Sequence, residues 1–429
     1  MTSKDSPTGR PPNGLQPSRR GFLAGAGGLA AVAGVGGTAR AATPETTSAA
    51  TSETAIEPFF GPHQGGILTP QQSQSYFLAL DLVTAKREMV VKLLQDWTLA
   101  AARMTQGATA APLASDLAQP GSDTGEALDL PPSRLTITFG FGPGLFSKDG
   151  KDRYGLAVQR PAAMVDLPRF NGDQLQAART GGDLSVQACA DDPQVAFHAV
   201  RQLARIAYDI AEVRWAQTGF LTGPGGKATP RNLMGFKDGT INPAVKDARL
   251  MDQLVWVGEE GPPWLRGGSY VVTRRIRIAL EHWDRMQVGF QEETIGRHKY
   301  SGAPIGKQHE FDDPDLEAAD KDGNPVIAEH AHVRLAMPAT HGGAQILRRG
   351  YSYNDGVNFI AERWPPWRQG MEYDAGLFFV CYQQDPRSGF IKSFTHMAKF
   401  DMLNQFVTHT GSGLFACPPG VAKGEFIGQ

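Results

Sequence analysis

Three short stretches of this chain hold side chains whose types and spacing could do chemistry. Asp238 lies in residues 232–243 (NLMGFKDGTINP), between Gly235 and Gly239. Asp-Gly is a turn dipeptide, and a carboxylate is also a general acid-base group, so the stretch alone leaves both readings open. His330, His332 and His341 crowd into AEHAHVRLAMPATH. On a strand His330 and His332 would share a face, as a metal pair does, but no further ligands follow at zinc spacing and polar surface or capped core positions suit them better. ILRRGYSY then sets Arg348 and Arg349 among apolar and aromatic residues. A guanidinium is costly to bury there unless it meets an anion or a developing negative charge; the competing reading is two solvated arginines on a strand edge.

Other patterns carry less. Cys189, Cys381 and Cys417 are far apart, with no C-x-x-C and no C-x-x-C-H, which disfavours zinc ribbons and covalently attached haem. GFGPGLF (140–146) loosely matches a dinucleotide loop, but Pro143 removes a backbone donor and the βαβ setting is missing, so it reads as a turn. In FACPPG, Cys417 reads as a small packed hydrophobe. The net charge of -2, with scattered lysines and arginines, excludes a nucleic-acid partner.

The elements that must position these residues follow from periodicity. The chain of 429 residues is long enough for two domains and a buried cofactor pocket. Residues 76–82 read as a strand, and Val90, Leu93, Leu94, Trp97 and Ala101 mark one face of the helix after it. Residues 106–132 read as loop and 135–141 (LTITFGF) as a strand. Asp192-Pro193 then starts a helix that carries Phe197, Val200, Leu203, Ala207 and Ile210. The same grammar returns where 376–381 runs into Asp385-Pro386 and a helix ending near Asn404; SVQACADDP and FFVCYQQDP echo each other. A further echo joins 76–103 to residues 270–278 and the helical stretch after them, so the chain reads as two related α+β halves split near residue 230.

The first residues differ in kind. Ser18-Arg19-Arg20-Gly21-Phe22-Leu23, a Gly/Ala/Val/Leu stretch over 24–37 and Ala39-Arg40-Ala41 form a twin-arginine signal with an A-x-A cleavage site. The stretch is too glycine-rich and short for a membrane span of about 20 apolar residues. Residues 1–41 are therefore expected to be a signal peptide read by the twin-arginine translocase, with the mature protein periplasmic or extracellular; that route carries folded proteins and suits a cofactor acquired before export. Residues 42–57 read as a disordered linker, 58–230 as the first domain and 231–429 as the second.

The motifs together are similar to a known family. GFKDGT (235–240) resembles the G-x-x-D-G signature of the dye-decolourising haem peroxidases, AHVRLAMP (331–338) their haem-ligand segment and LRRGYSY (347–353) their arginine segment. HQGGILTPQQ (63–72), GRHKYSGAPIG (296–306) and GLFFVCYQ (376–383) extend the resemblance over nearly the whole mature chain, toward the exported deferrochelatase/peroxidase branch. The resemblance implies two ferredoxin-like domains, each an antiparallel sheet with flanking helices, in a barrel-like arrangement with haem in the second half. It implies that His332 is the axial ligand of non-covalent haem b, with His330 a neighbour. A carboxylate behind the imidazole would supply electron push, with Asp374 the candidate and Glu372 the alternative.

On the opposite face the resemblance makes Asp238 the acid-base group for hydrogen peroxide and Arg348 the stabiliser of developing charge, with Arg349 turned away toward a surface acid. Gly239, Thr240, Ile241, Met337, Pro338, Ala339 and Arg297 are implied contacts to the haem edge or propionates; the family's Asn-Pro-Arg stands here as Met337-Pro338-Ala339. Leu377 and Phe379 would line the distal pocket or belong to ordinary sheet core. Trp364, Trp367, Tyr351 and Tyr353 are the aromatics from which a relay to bulky donors would be drawn. The implied activity is peroxide-dependent oxidation of phenolic or dye-like donors. The alternatives are iron release from haem and simple haem carriage, with a homodimer as the possible assembly.

Overall fold

The computed structural model describes residues 54–429 apart from Leu117, 223–228 and 362–368, so the expected signal peptide (1–41) and most of the expected linker (42–57) lie outside the described residues. The first half runs β1 (Gln74–Leu82), α1 (Arg87–Met104), β2 (Thr136–Phe141), β3 (Leu184–Ala190), α2 (Pro193–Ile206) and β4 (Ala211–Phe220). The second runs β5 (Ser269–Ile278), α3 (His332–Ala336), β6 (Leu347–Arg348), β7 (Tyr351–Ala361), β8 (Gln369–Gln383), α4 (Lys392–Phe400) and β9 (Val407–Cys417), with short helices at Leu280–Trp283 and Val288–Ile295 between β5 and α3.

Each half is an antiparallel βαββαβ sheet of the ferredoxin-like kind. The strand order is β2-β3-β1-β4 in the first and β9-β5-β8-β7 in the second. The halves meet edge to edge at Phe141↔Ala416 and at Phe220↔Ser352. Because β5 pairs with both β8 and β9, these two seams close the sheet on itself. Closure removes the exposed edges that two open sheets would carry.

A closed sheet needs filling inside and cover outside. Inside, the Phe77 ring meets Trp215, Phe378 and Phe415 at centroid distances of 5.2, 5.5 and 5.9 Å. Each such side chain, fully buried, contributes about 1.5–3 kcal/mol. Outside the first half, α1 buries the stripe read from its sequence, and Trp97 Nε1 donates to Leu203 O at 2.8 Å, tying α1 to α2. Helix α2 begins as its Asp-Pro start dictates, with the Asp192 carboxylate accepting from the backbone N–H of Gln194 and Val195. Asp385 accepts from Arg387 N in the same manner, followed by a π-helical turn and then α4. Residues 143–146, read as a turn, form one short helical turn, and Cys417 is buried in β9.

Candidate active site

Residues 230–242 build the first wall. Asp238 N donates to Pro230 O at 2.9 Å and Asn242 N to Gly239 O at 3.0 Å, closing a tight loop on either side of the aspartate. Gly239 lies at φ 93°, a left-handed conformation, and a Cβ built there would meet nothing within 4 Å. The turn thus needs glycine and leaves open space beside the carboxylate.

Arg348 comes from β6, a two-residue strand paired to β8 at Cys381. Its Nη1 donates to Asp238 Oδ1 at 3.0 Å, and both side chains are about one-third exposed, 34% and 32%. Asn242 fixes the partner: its Oδ1 accepts from Arg348 N and its Nδ2 donates to Arg348 O, each at 2.9 Å. The loop that carries Asp238 therefore also clamps the backbone of the arginine it faces. Leu377 and Phe379 lie on the Arg348 side of β8, since opposed residues of antiparallel strands share a face, and both are half-buried.

His332 opens α3 and is not on a strand, so it and His330 do not form the same-face pair a strand would give. His330 instead faces Glu293 at 3.8 Å. Gly296, at φ 87°, lets its backbone approach this turn, with the Cβ atoms of Ala331 and Val333 each 3.3 Å from where its own Cβ would be. His332 Nδ1 bonds Asp401 Oδ2 at 2.6 Å, and the other Asp401 oxygen accepts from Leu403 N at 2.8 Å. Burial pulls the His332 pKa down, but the Asp401 carboxylate outweighs it, so the ring sits above the ordinary histidine value; the charges of Arg348 and Asp238 also reach it. The three groups therefore share one electrostatic neighbourhood, and the histidine's Nε2 has no hydrogen-bond partner among the described residues.

Two expectations need correction. Asp374 does not back His332: its carboxylate meets Arg275 Nη2 at 2.7 Å and lies 3.9 Å from Arg179. Glu372 is held by Arg277 at 2.8 Å. Both guanidiniums project from β5 beside β8 and capture these acids, leaving Asp401 as the carboxylate on the imidazole. Arg349 does not bind a surface acid; it is buried and donates to Thr69 O. Tyr351 and Tyr353 are fully buried, while Trp364 and Trp367 lie outside the described residues.

The remaining candidates fit a flat group carrying anionic arms. Arg297 is buried and gives Nη1 to Gly302 O and Glu310 O at 2.7 and 2.9 Å, while its Nη2 and Thr240 Oγ1 are buried with no partner among the described residues. Ile241 is 43% exposed beside Thr240. Met337, Pro338 and Ala339 follow α3 directly and begin a 3-10 turn, so they stand within two turns of His332. A free imidazole nitrogen for iron, open space at Gly239 and unsatisfied buried donors are what a haem requires, and the residues present fit it.

Fold and site together define a haem peroxidase of the two-half ferredoxin-like class. Residues 64–221 match the family description Dyp-type peroxidase, N-terminal, and residues 229–422 match Dyp-type peroxidase, C-terminal. The chain belongs to the Dyp-type peroxidase family, oxidoreductases acting on peroxide. It is 38% identical over 422 residues to a Deferrochelatase of Escherichia coli (strain K12), covering 95% of each chain. A Deferrochelatase of Shigella flexneri is 38% identical over 428 residues, covering 97% of each. Among solved structures, a DyP-type peroxidase from Streptomyces coelicolor is 42% identical with TM-score 0.79, covering 90% of this chain and 99% of that one. Ferric DtpA from Streptomyces lividans is 41% identical with TM-score 0.78 and the same coverage.

Proposed function

We propose that this peroxidase oxidises phenolic or dye-like donors with hydrogen peroxide, that His332 would hold its haem, and that Asp238 and Arg348 would act on the peroxide. The observation that carries the reading is the Asp238–Arg348 pair at 3.0 Å beside a histidine already locked through Nδ1 to Asp401. Bound haem would supply the redox centre between peroxide and donor. Asp238 takes a proton from hydrogen peroxide and returns it to the departing oxygen, which leaves as water. Arg348 stabilises the negative charge that develops on that oxygen. His332 would hold the iron through Nε2, and Asp401, bonded to Nδ1, would fix the ring's orientation and enrich its electron density. Arg297 Nη2 and Thr240 Oγ1 are the donors we assign to haem's polar edge, with Gly239, Ile241, Met337, Pro338 and Ala339 as its apolar and backbone neighbours.

The relatives named Deferrochelatase favour a second reading, removal of iron from haem with the ring left intact. Assaying Asp238→Asn and Arg348→Leu for both peroxide turnover and iron release separates the two. Loss of peroxide turnover in both variants supports the peroxidase, and turnover equal to wild type refutes it. Iron release that persists at the wild-type rate in them would make that activity independent of this pair.

We further propose that residues 1–41 direct export through the twin-arginine translocase, placing the mature chain in the periplasm or outside the cell, and that it assembles as a homodimer. We also divide the mature chain into 58–230 and a haem-bearing 231–429. Replacing Arg19 and Arg20 by lysine should retain the protein in the cytoplasm, and light scattering of the mature chain reads the assembly.

A further inference from the structure

A cavity of about 270 Å³ opens between α4 and the 3-10 turn at Pro338–His341. Lys392, Thr395, His396, Lys399 and Phe400 form one wall; spaced at i, i+3, i+4, i+7 and i+8, they share one helical face. Thr340 and His341 form the other, and no carboxylate lines the cavity. Lys392 Nζ donates to Gly342 O at 3.1 Å, and neither lysine has an ion-pair partner among the described residues. Phe400 is 57% exposed and its ring lies 5.1 Å from that of His396. His341 is 92% buried; its Nε2 bonds Ala336 O at 3.3 Å, and its Nδ1 makes no hydrogen bond to any other described residue.

Ammonium groups without ion-pair partners among the described residues, an exposed phenyl ring and a buried imidazole with a spare nitrogen suit a planar aromatic anion. The charges also fix its size. Lysines seven residues apart on a helix are separated by about 10 Å along the axis. A small inorganic anion reaches one of them; a fused-ring aromatic with an acidic group at each end reaches both, its face against Phe400 and His396. The floor leads inward, since the residue bonded to His341, Ala336, ends the helix that His332 begins.

We infer that this cavity is a donor-binding site for aromatic carboxylates and sulfonates, separate from the Asp238–Arg348 face. The binding claim stands on the cavity alone; only its use as a donor site rests on the peroxidase reading. The test titrates holoenzyme without peroxide, by calorimetry, with an anthraquinone bearing a sulfonate at each end, a compound already oxidised and so not turned over. Lys392→Ala with Lys399→Ala should weaken Kd roughly tenfold, and the Lys→Arg pair should restore it. Binding should fall as salt rises. In turnover, KM for a reducing sulfonated dye should rise by a similar factor in the alanine pair while KM for a neutral phenol and kcat stay unchanged. An unchanged Kd overturns the site. Weakened binding with an unchanged KM for the anionic dye overturns its role as a donor site, and an equal rise in KM for the neutral phenol overturns its selectivity for anions.

Discussion

Asp238 illustrates how much a residue owes to its neighbours. Its two glycines mark a turn whatever else is present; Arg348 at 3.0 Å and Asn242 across the same loop are what favour the proposed acid-base role. Asn242 bonds both backbone groups of Arg348, so Asn242→Ala frees the arginine and exposes two unsatisfied polar groups. We predict a loss of about 1–3 kcal/mol in stability together with slower reaction with peroxide, read by thermal melting and stopped-flow absorbance. Asp401→Ala should leave the distal pair intact yet weaken haem binding about 10–100-fold, measured by haem titration. These two residues also mark where the sequence stopped being legible. Asp238, His332 and Arg348 sit in recognisable motifs. Asp401 lies 69 positions from its histidine in a stretch that reads only as the end of a helix, and Asp374 sits at a plausible strand end but is claimed by Arg275, a pairing that no local pattern announces.

Elements were legible where one face is buried and the ends are capped. The stripe of α1 and the Asp192-Pro193 start of α2 are of this kind, and Asp192→Ala should cost about 1 kcal/mol by denaturant unfolding. The stretch between β5 and α3 was harder, because its helices of four, eight and five residues are too short to show a period, and their positions are set by contacts such as Gly296 against Ala331 and Val333. Residues 106–132 read as loop, with no sign that Asp123 would be buried against His198 at 3.0 Å. Burial alone would raise the Asp123 pKa, but N–H donors of Gly125 and Ala110 and the His198 ring outweigh it and hold the carboxyl below its usual range. A depressed carboxylate stabilises the fold above its unfolded value near about 4 and loses that contribution as pH falls through the folded value. The stability advantage of wild type over Asp123→Asn should therefore shrink as pH drops below about 4, as melting curves across acid pH would report.

At the scale of the molecule, the two echoing halves are held together by more than their two seams. Gln217 of β4 accepts from Arg275 Nε at 2.7 Å inside the closed sheet. Outside it, Arg274 of β5 reaches Asp173 of the first half, both fully buried. Asp173→Ala would strand a buried guanidinium and should destabilise the protein by about 3–5 kcal/mol in urea unfolding. The repeat was readable from the recurring strand and Asp-Pro grammar, whereas the barrel-like closure was expected from the family resemblance alone, because each seam is a single residue pair. The closed sheet provides the fixed platform on which Arg348, from the second half, faces the loop that bears Asp238.

Whether that loop supplies the proton transfer is the claim on which the account depends most. Stopped-flow mixing of haem-loaded Asp238→Asn with hydrogen peroxide measures it directly. The account predicts an unchanged resting haem spectrum and a rate constant at least roughly tenfold below wild type; a rate equal to wild type would contradict it.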